Sequence, residues 1–131
     1  FILSIPENKL TCSYEKGKWT IKEVISHLID MERVYMYRAL RFSRNDQTIL
    51  PGFDADRYVQ FSGANERDLA GLLEEFKATR NSTIQFLNGL TDDAILRTGN
   101  VKKGSASVRS LAYHIAGHEL HHINIVKERY L

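Results

Sequence analysis

The stretch WTIKEVISHLIDMERVYMYRALRF, residues 19–42, carries the strongest structural signal in the chain. Thr20 is a typical helix N-cap, and Glu23, three residues later, completes the pattern of a capping box. Apolar residues then recur at the three- and four-residue spacing of one helical face: Ile21, Val24, Ile25, Leu28, Tyr35, Ala39 and Phe42. We therefore predict a long amphipathic helix that begins after Thr20 and buries this face.

Two further long helices are predicted towards the C-terminus. One spans about 66–88, with Gly89 placed to end it, and the other spans about 108–130. The predicted buried face of the first of these consists of Leu69, Leu72, Leu73, Phe76, Thr83 and Leu87. The pattern predicts an all-α fold, most simply a four-helix bundle.

The connections between these helices differ in character. Residues 43–65 form too long a link for a simple helix–helix connection, and DADRYVQF (54–61) is expected to add one or two helical turns. The sequence GNVKKGSAS (99–107) is rich in glycine and serine and predicts a mobile loop. The start, FILSIPENKL (1–10), resembles the end of an apolar helix, so we expect a single domain over 1–131 whose first bundle helix is truncated.

The amino-acid composition excludes several classes of protein and site. Of the 131 residues, 43% are hydrophobic and 26% charged, as in ordinary globular proteins, and a net charge of +2 argues against a nucleic-acid partner. No apolar run approaches the ~20 residues of a membrane span, so no membrane partner is expected. Cys12 is the only cysteine, which excludes an internal disulfide and a cysteine-rich zinc site. A cytoplasmic location is expected.

Four of the five histidines lie in HIAGHELHHINIV (114–126). Residues four apart on a helix share a face, so His114 can pair with His118, and His118 with His122. The inward face is marked by Leu111, Ile115, Ile125 and Val126, which places His118 and His122 near its centre. We predict that these two bind a metal, whereas His114 and His121 lie on the flank and serve as outer or surface groups.

Residues 118–122 also match the pattern H-E-x-x-H, which is typical of zinc proteases in which the glutamate is the general base. Only nine residues follow His122, and none is a histidine or an aspartate that could complete such a site. No predicted strand is available to align a peptide. We therefore reject the protease interpretation and expect Glu119 to lie on the helix flank.

The third metal ligand is predicted to be His27, the only other histidine. It lies two turns into the first helix, between inward-facing apolar positions, and three imidazoles with one open position form a catalytic type of metal site. Glu32 lies on the same helix. We expect it to pair with an arginine such as Arg38 or Arg57, or to orient a ligand imidazole.

The segments WTIKEVISHLIDMER and SLAYHIAGHELHHINIVKERYL together resemble the DinB-like family of metal-binding four-helix bundles. Within it the chain is most similar to the branch that includes metal-dependent hydrolases and bacillithiol transferases. The family's ligands correspond to His27, His118 and His122. The resemblance implies a divalent ion, zinc or nickel, at one end of a central cavity, and a homodimer.

Three function classes fit these residues. We favour a thiol S-transferase, in which the metal activates a low-molecular-weight thiol to attack an electrophilic substrate. The alternatives are a metal-dependent hydrolase that uses metal-bound water and a non-catalytic, stress-associated metal-binding bundle. Thiol transfer requires cations near the open position to hold the carboxylates of the thiol, and Arg57, Lys102 and Lys103 are the candidates.

Overall fold

The computed structural model describes all residues 1–131. Its three long helices are α1 (Ile21–Ser43), α3 (Leu69–Asn88) and α5 (Val108–Arg129). Two short helices, α2 (Ala55–Gln60) and α4 (Asp92–Leu96), lie in the connections, and the strands β1 (Thr98–Val101) and β2 (Gly104–Ser107) form a hairpin. Three 3₁₀ turns complete the secondary structure: Ile2–Ser4, Glu7–Lys9 and Ala64–Glu66.

The helix α1 is central, since both α3 and α5 pack mainly against it. Its predicted start is confirmed: Thr20 Oγ1 accepts a hydrogen bond from Glu23 N at 3.1 Å, and Thr20 N donates to Glu23 Oε2 at 2.8 Å. The reciprocal bonds satisfy two backbone donors that the first turn would leave unpaired. The capping box thereby sets the phase in which the following residues face α3 and α5.

The core consists of two apolar clusters along α1. The first surrounds its N-terminal half and includes Ile21, Val24, Ile25, Leu28, Ile29, Leu72 and Val126. The second surrounds its C-terminal half and consists of Ala39, Phe42, Leu50, Val108 and Leu111. Full burial of a large apolar side chain stabilises the fold by about 1.5–3 kcal/mol, so these clusters are the main force that joins the helices. Glu32 is buried on α1 between the two clusters.

The prediction of a loop over 99–107 is wrong, because these residues form most of the β1–β2 hairpin, in which Thr98 pairs with Ser107 and Val101 with Gly104. The hairpin is attached to the 43–65 connection through backbone hydrogen bonds of 3.0 Å, from Leu50 N to Asn100 O and from Lys102 N to Leu50 O. The two residues joined by each of these bonds lie far apart in the sequence, so the local composition of 99–107 did not indicate the strands.

The predicted all-α bundle fold is confirmed, with the hairpin as its only sheet. Helix α5 matches its predicted span and α2 the turns expected at 54–61, whereas α3 begins three residues later than predicted, after the N-cap Asp68. Ahead of α1, 3₁₀ turns replace the helical end predicted within residues 1–10. None of the helices combines the length and the apolar character that a membrane crossing requires.

Candidate metal centre

Three imidazole rings from α1 and α5 converge at one point. His27 Nε2 lies 3.1 Å from His118 Nε2, which in turn lies 3.1 Å from His122 Nε2. The two helices run antiparallel, because Tyr35, later in α1 than His27, contacts His114, which is earlier in α5 than His118. The structure therefore brings together His118 and His122, which helical phase selected, and His27, which was predicted to join them from the first helix.

The geometry of these rings fits a single metal ion. Two imidazole nitrogens bound to one tetrahedral ion at about 2.0–2.1 Å lie roughly 3.3–3.4 Å apart, close to the observed spacing. One candidate ligand atom from each ring lies within 4.8 Å of the others. Without an ion, the single lone pair or proton of His118 Nε2 cannot satisfy both of its neighbours at once. A cation that accepts one lone pair from each ring removes this conflict.

Burial keeps the three rings neutral. Loss of solvent contact, together with a smaller effect of the neighbouring histidines, lowers the pKa of His27 from 6.5 to about 3 and that of His122 to about 4. The pKa of His118 is also lowered, again mainly by burial. Neutral imidazole is the form that binds metals, so the three nitrogens are ready for an ion at neutral pH.

Trp19 is a part of this site that sequence analysis assigned only to the helix start. Its ring centroid lies 4.5 Å from that of His27 and 6.1 Å from that of His122. His27 is only 5% exposed, and its second nitrogen, Nδ1, is buried without a hydrogen-bond partner. The His27 ring therefore packs against the indole and has no hydrogen bond on its Nδ1 side.

The two remaining histidines lie outside the convergent group. His114 is exposed; its Nε2 lies 3.0 Å from the hydroxyl of Tyr35, and its ring stacks at 5.9 Å on that of His118. Burial raises the pKa of Tyr35, so its hydroxyl keeps its proton and can donate to the imidazole. His121 is also exposed, with its ring 5.3 Å from that of His122.

A charged cluster beside the histidines joins all three long helices. Both carboxylate oxygens of Glu32, which is 2% exposed, accept hydrogen bonds from Arg80 at 2.9–3.2 Å. Arg80 Nη2 also donates to Glu119 at 2.6 Å. Hydrogen bonding to Glu32 is the main cause that raises the pKa of Arg80 above its usual value. The carboxylate of Glu119, on the flank of α5, is thus held in an ion pair with Arg80 of α3.

Glu32 pairs with an arginine as expected, but the partner is Arg80 rather than Arg38 or Arg57. Arg38 of α1 donates a hydrogen bond to the carbonyl of Pro51 and lies over the ring of Phe53, both of which belong to the 43–65 connection. Arg57, within that connection, lies over the ring of Phe61. Arg80 was missed although a signal existed. It falls four residues after Phe76 and three before Thr83, within the face of α3 that was predicted to be buried.

An open pocket of about 480 Å³ reaches the three convergent histidines at His122. Its other lining residues are Tyr14, Gly17, Lys18, Trp19, Val24, Asp56, Ile125 and Tyr130. By contrast, the cleft that His118 lines with the charged cluster has no room for a water-sized molecule. None of the cations proposed to hold a thiol, Arg57, Lys102 and Lys103, lines the pocket at His122.

Comparison with known proteins identifies a family, a similar sequence and a similar fold. A sequence model described as the DinB superfamily matches residues 1–126. A protein of Oceanobacillus iheyensis named "Putative metal-dependent hydrolase" is 22% identical over 126 residues, which cover 95% of this chain and 72% of that protein. The fold is similar to that of YfiT from Bacillus subtilis, described as "a probable metal-dependent hydrolase with an unusual four-helix bundle topology". That superposition has a TM-score of 0.71 and 18% identity, and covers 96% of this chain and 75% of YfiT.

Proposed function

Since this chain belongs to the DinB superfamily, we propose that it is a metal-dependent hydrolase with a divalent ion held by His27, His118 and His122. The observation that carries the proposal is the convergence of three Nε2 atoms, with two separations of 3.1 Å. The descriptions of both similar proteins name a metal-dependent hydrolase. Zinc and nickel suit imidazole ligands, so either is the expected ion.

The bound ion would supply Lewis acidity, by which it polarises a substrate carbonyl and lowers the pKa of water to about 7. The protein's share is to hold three neutral ligands in fixed positions. Trp19 covers one side of the site, and the closed cleft around His118 excludes water from another. Substrate approaches through the pocket at His122, where the aromatic rings of Tyr14, Trp19 and Tyr130 accommodate an apolar group.

Thiol S-transfer remains the second candidate, because three uncharged ligands leave the full charge of the ion uncompensated and favour a soft anionic thiolate. Against it, Lys18 is the only cation that lines the pocket at His122, and Asp56 offsets its charge. A thiol bearing several carboxylates would find few partners there. This lining places hydrolysis ahead of the thiol transfer that sequence analysis favoured.

Metal content tests the ligand assignment. We expect His27→Ala, His118→Ala and His122→Ala each to lose most bound metal, measured by elemental analysis after reconstitution with Zn²⁺ or Ni²⁺. His121→Ala is the matched control, since this exposed neighbour of His122 lies outside the convergent group. Full metal retention in the His122→Ala protein would contradict the assignment.

Trp19 gives an independent readout because it is the only tryptophan and lies against two of the rings. Paramagnetic Ni²⁺ should quench its fluorescence in the native protein and in His121→Ala, but not in His122→Ala. Diamagnetic Zn²⁺ should compete with the quenching.

Reaction class is tested on the metal-loaded protein with a panel of aryl esters and amides, assayed with and without added cysteine or glutathione. The hydrolase proposal expects turnover without a thiol that is lost on chelation and restored by metal. If instead a thiol perturbs the visible spectrum of the cobalt form and conjugation to an electrophile is the only activity, thiol transfer replaces hydrolysis.

A further inference from the structure

The pocket at His122 contains a single carboxylate, that of Asp56 on α2. Asp56 is exposed, and its side chain makes no ion pair or hydrogen bond with another residue. Its carboxylate is therefore a negatively charged acceptor whose lone pairs are available to a water molecule or substrate in the pocket.

The other carboxylates near the histidines are already engaged. Glu32 and Glu119 accept hydrogen bonds from Arg80. Glu23 accepts from the backbone of Thr20 and from Asn65. A carboxylate that is held by a cation or a helix cap is a poor acceptor for a further proton, so these three are unsuited to act as bases.

The capping and packing of α2 fix the position of Asp56. Asp54 caps α2 by accepting a hydrogen bond from the backbone N of Arg57 at 3.1 Å. Val59, 3% exposed, anchors α2, which packs against α1. Asp56 lies between these two points and lines the same pocket as His122 and Trp19.

We propose that Asp56 is the general base of the reaction and that the pocket it shares with His122 is the substrate site; this rests on the proposed hydrolase function. The Asp56 carboxylate takes a proton from a water molecule as the water oxygen bonds to the substrate carbonyl carbon. The bond from that carbon to the leaving group then breaks, and the leaving group takes the proton from Asp56. The three histidines cannot serve as the base, because each uses its lone pair to hold the ion.

Asp56→Asn tests the catalytic role on the metal-loaded protein with p-nitrophenyl acetate as the probe. A positioned general base contributes about 10²–10⁴-fold, so kcat should fall by at least about 10²-fold while KM and metal content stay close to native values. Glu128→Gln is the matched control, since Glu128 is an exposed carboxylate that lines a neighbouring surface pocket but not the one at His122. We expect native kinetics from this variant.

Azide binding to the cobalt-loaded protein gives a readout that does not depend on turnover. A negative charge across the pocket repels an anion that binds the ion, so Asp56→Asn should bind azide roughly two- to fivefold more tightly than the native protein. Glu128→Gln should bind azide as the native protein does. The dissociation constants follow from titration of the visible cobalt bands.

The outcomes separate this inference from the proposed function. Slower hydrolysis together with tighter azide binding in Asp56→Asn supports it. Unchanged azide affinity overturns the inference that the Asp56 charge acts on the ion site, and native kcat overturns its role as base, even where the native protein is an active hydrolase. If the native protein binds cobalt but hydrolyses no ester or amide, the proposed function fails and with it the role of Asp56 as base, and the azide titration then reports only whether the charge of Asp56 acts on the ion site.

Discussion

Replacement of Arg80 is the sharpest test of the charged cluster. Arg80→Met keeps an apolar stem of similar length but removes the guanidinium that serves both oxygens of Glu32. Glu32 is 2% exposed, so water cannot replace the lost partner without rearrangement of the core. The variant is left with an uncompensated charge between the two apolar clusters.

The expected cost follows from this burial. Removal of one partner from a buried ion pair costs about 3–5 kcal/mol, because the remaining charge stays desolvated. The pair between Arg33 and Glu75 provides the comparison, since those side chains are 52% and 26% exposed. Exposed pairs contribute about 0–1 kcal/mol, so Arg33→Met should change the free energy of unfolding by no more than that.

A double variant, Glu32→Leu with Arg80→Met, separates the buried charge from the loss of contacts. It replaces both partners by apolar groups, which is often neutral or stabilising. We expect it to recover most of the stability that Arg80→Met alone loses. The free energy of unfolding of the metal-free proteins is measured by urea denaturation, with unchanged m-values as the condition for comparison. A loss below about 1 kcal/mol in Arg80→Met, equal to that of Arg33→Met, would refute this account of the cluster.

Three further predictions concern the site and the hairpin. The pKa values of His27 and His122 are lowered to about 3 and about 4, so in acid the unfolded chain binds more protons than the folded chain. The metal-free protein should therefore be fully stable above about pH 6.5 and lose stability as the pH falls towards 4, by up to about 2 kcal/mol at pH 5 from His27 alone. A urea midpoint that does not change between pH 7 and 5 would contradict this. Glu119→Gln should leave bound metal unchanged and lower the hydrolysis rate only slightly because Arg80 engages this carboxylate, whereas a loss of about 10²-fold or more would indicate a general base. Gly99→Ala should cost about 1–3 kcal/mol, since a Cβ there would overlap the fully buried ring of Phe42, and thermal denaturation with an unchanged Tm would disprove that packing.

Much of the helical framework could be predicted from the sequence because its signals are local. The capping box at Thr20 and Glu23 depends on residues three apart, and it forms as predicted. The spacing of His118 and His122 depends on one helical turn, and the apolar stripe around them shows which side is buried. Such patterns can be recognised in the sequence without knowledge of the neighbouring helices.

The pairings between elements required the tertiary structure. Arg80 reaches Glu32 across 48 residues of sequence: its helical phase on α3 indicates that it faces the core, but the packing of α3 on α1 determines which carboxylate it meets. The hairpin is held by Leu50, a distant residue, rather than by alternation within its own strands. Asp56 shares a pocket with His122 only because α2 packs against α1. Local periodicity determines which face of a helix is buried, but the relative placement of the packed elements determines which side chains meet there.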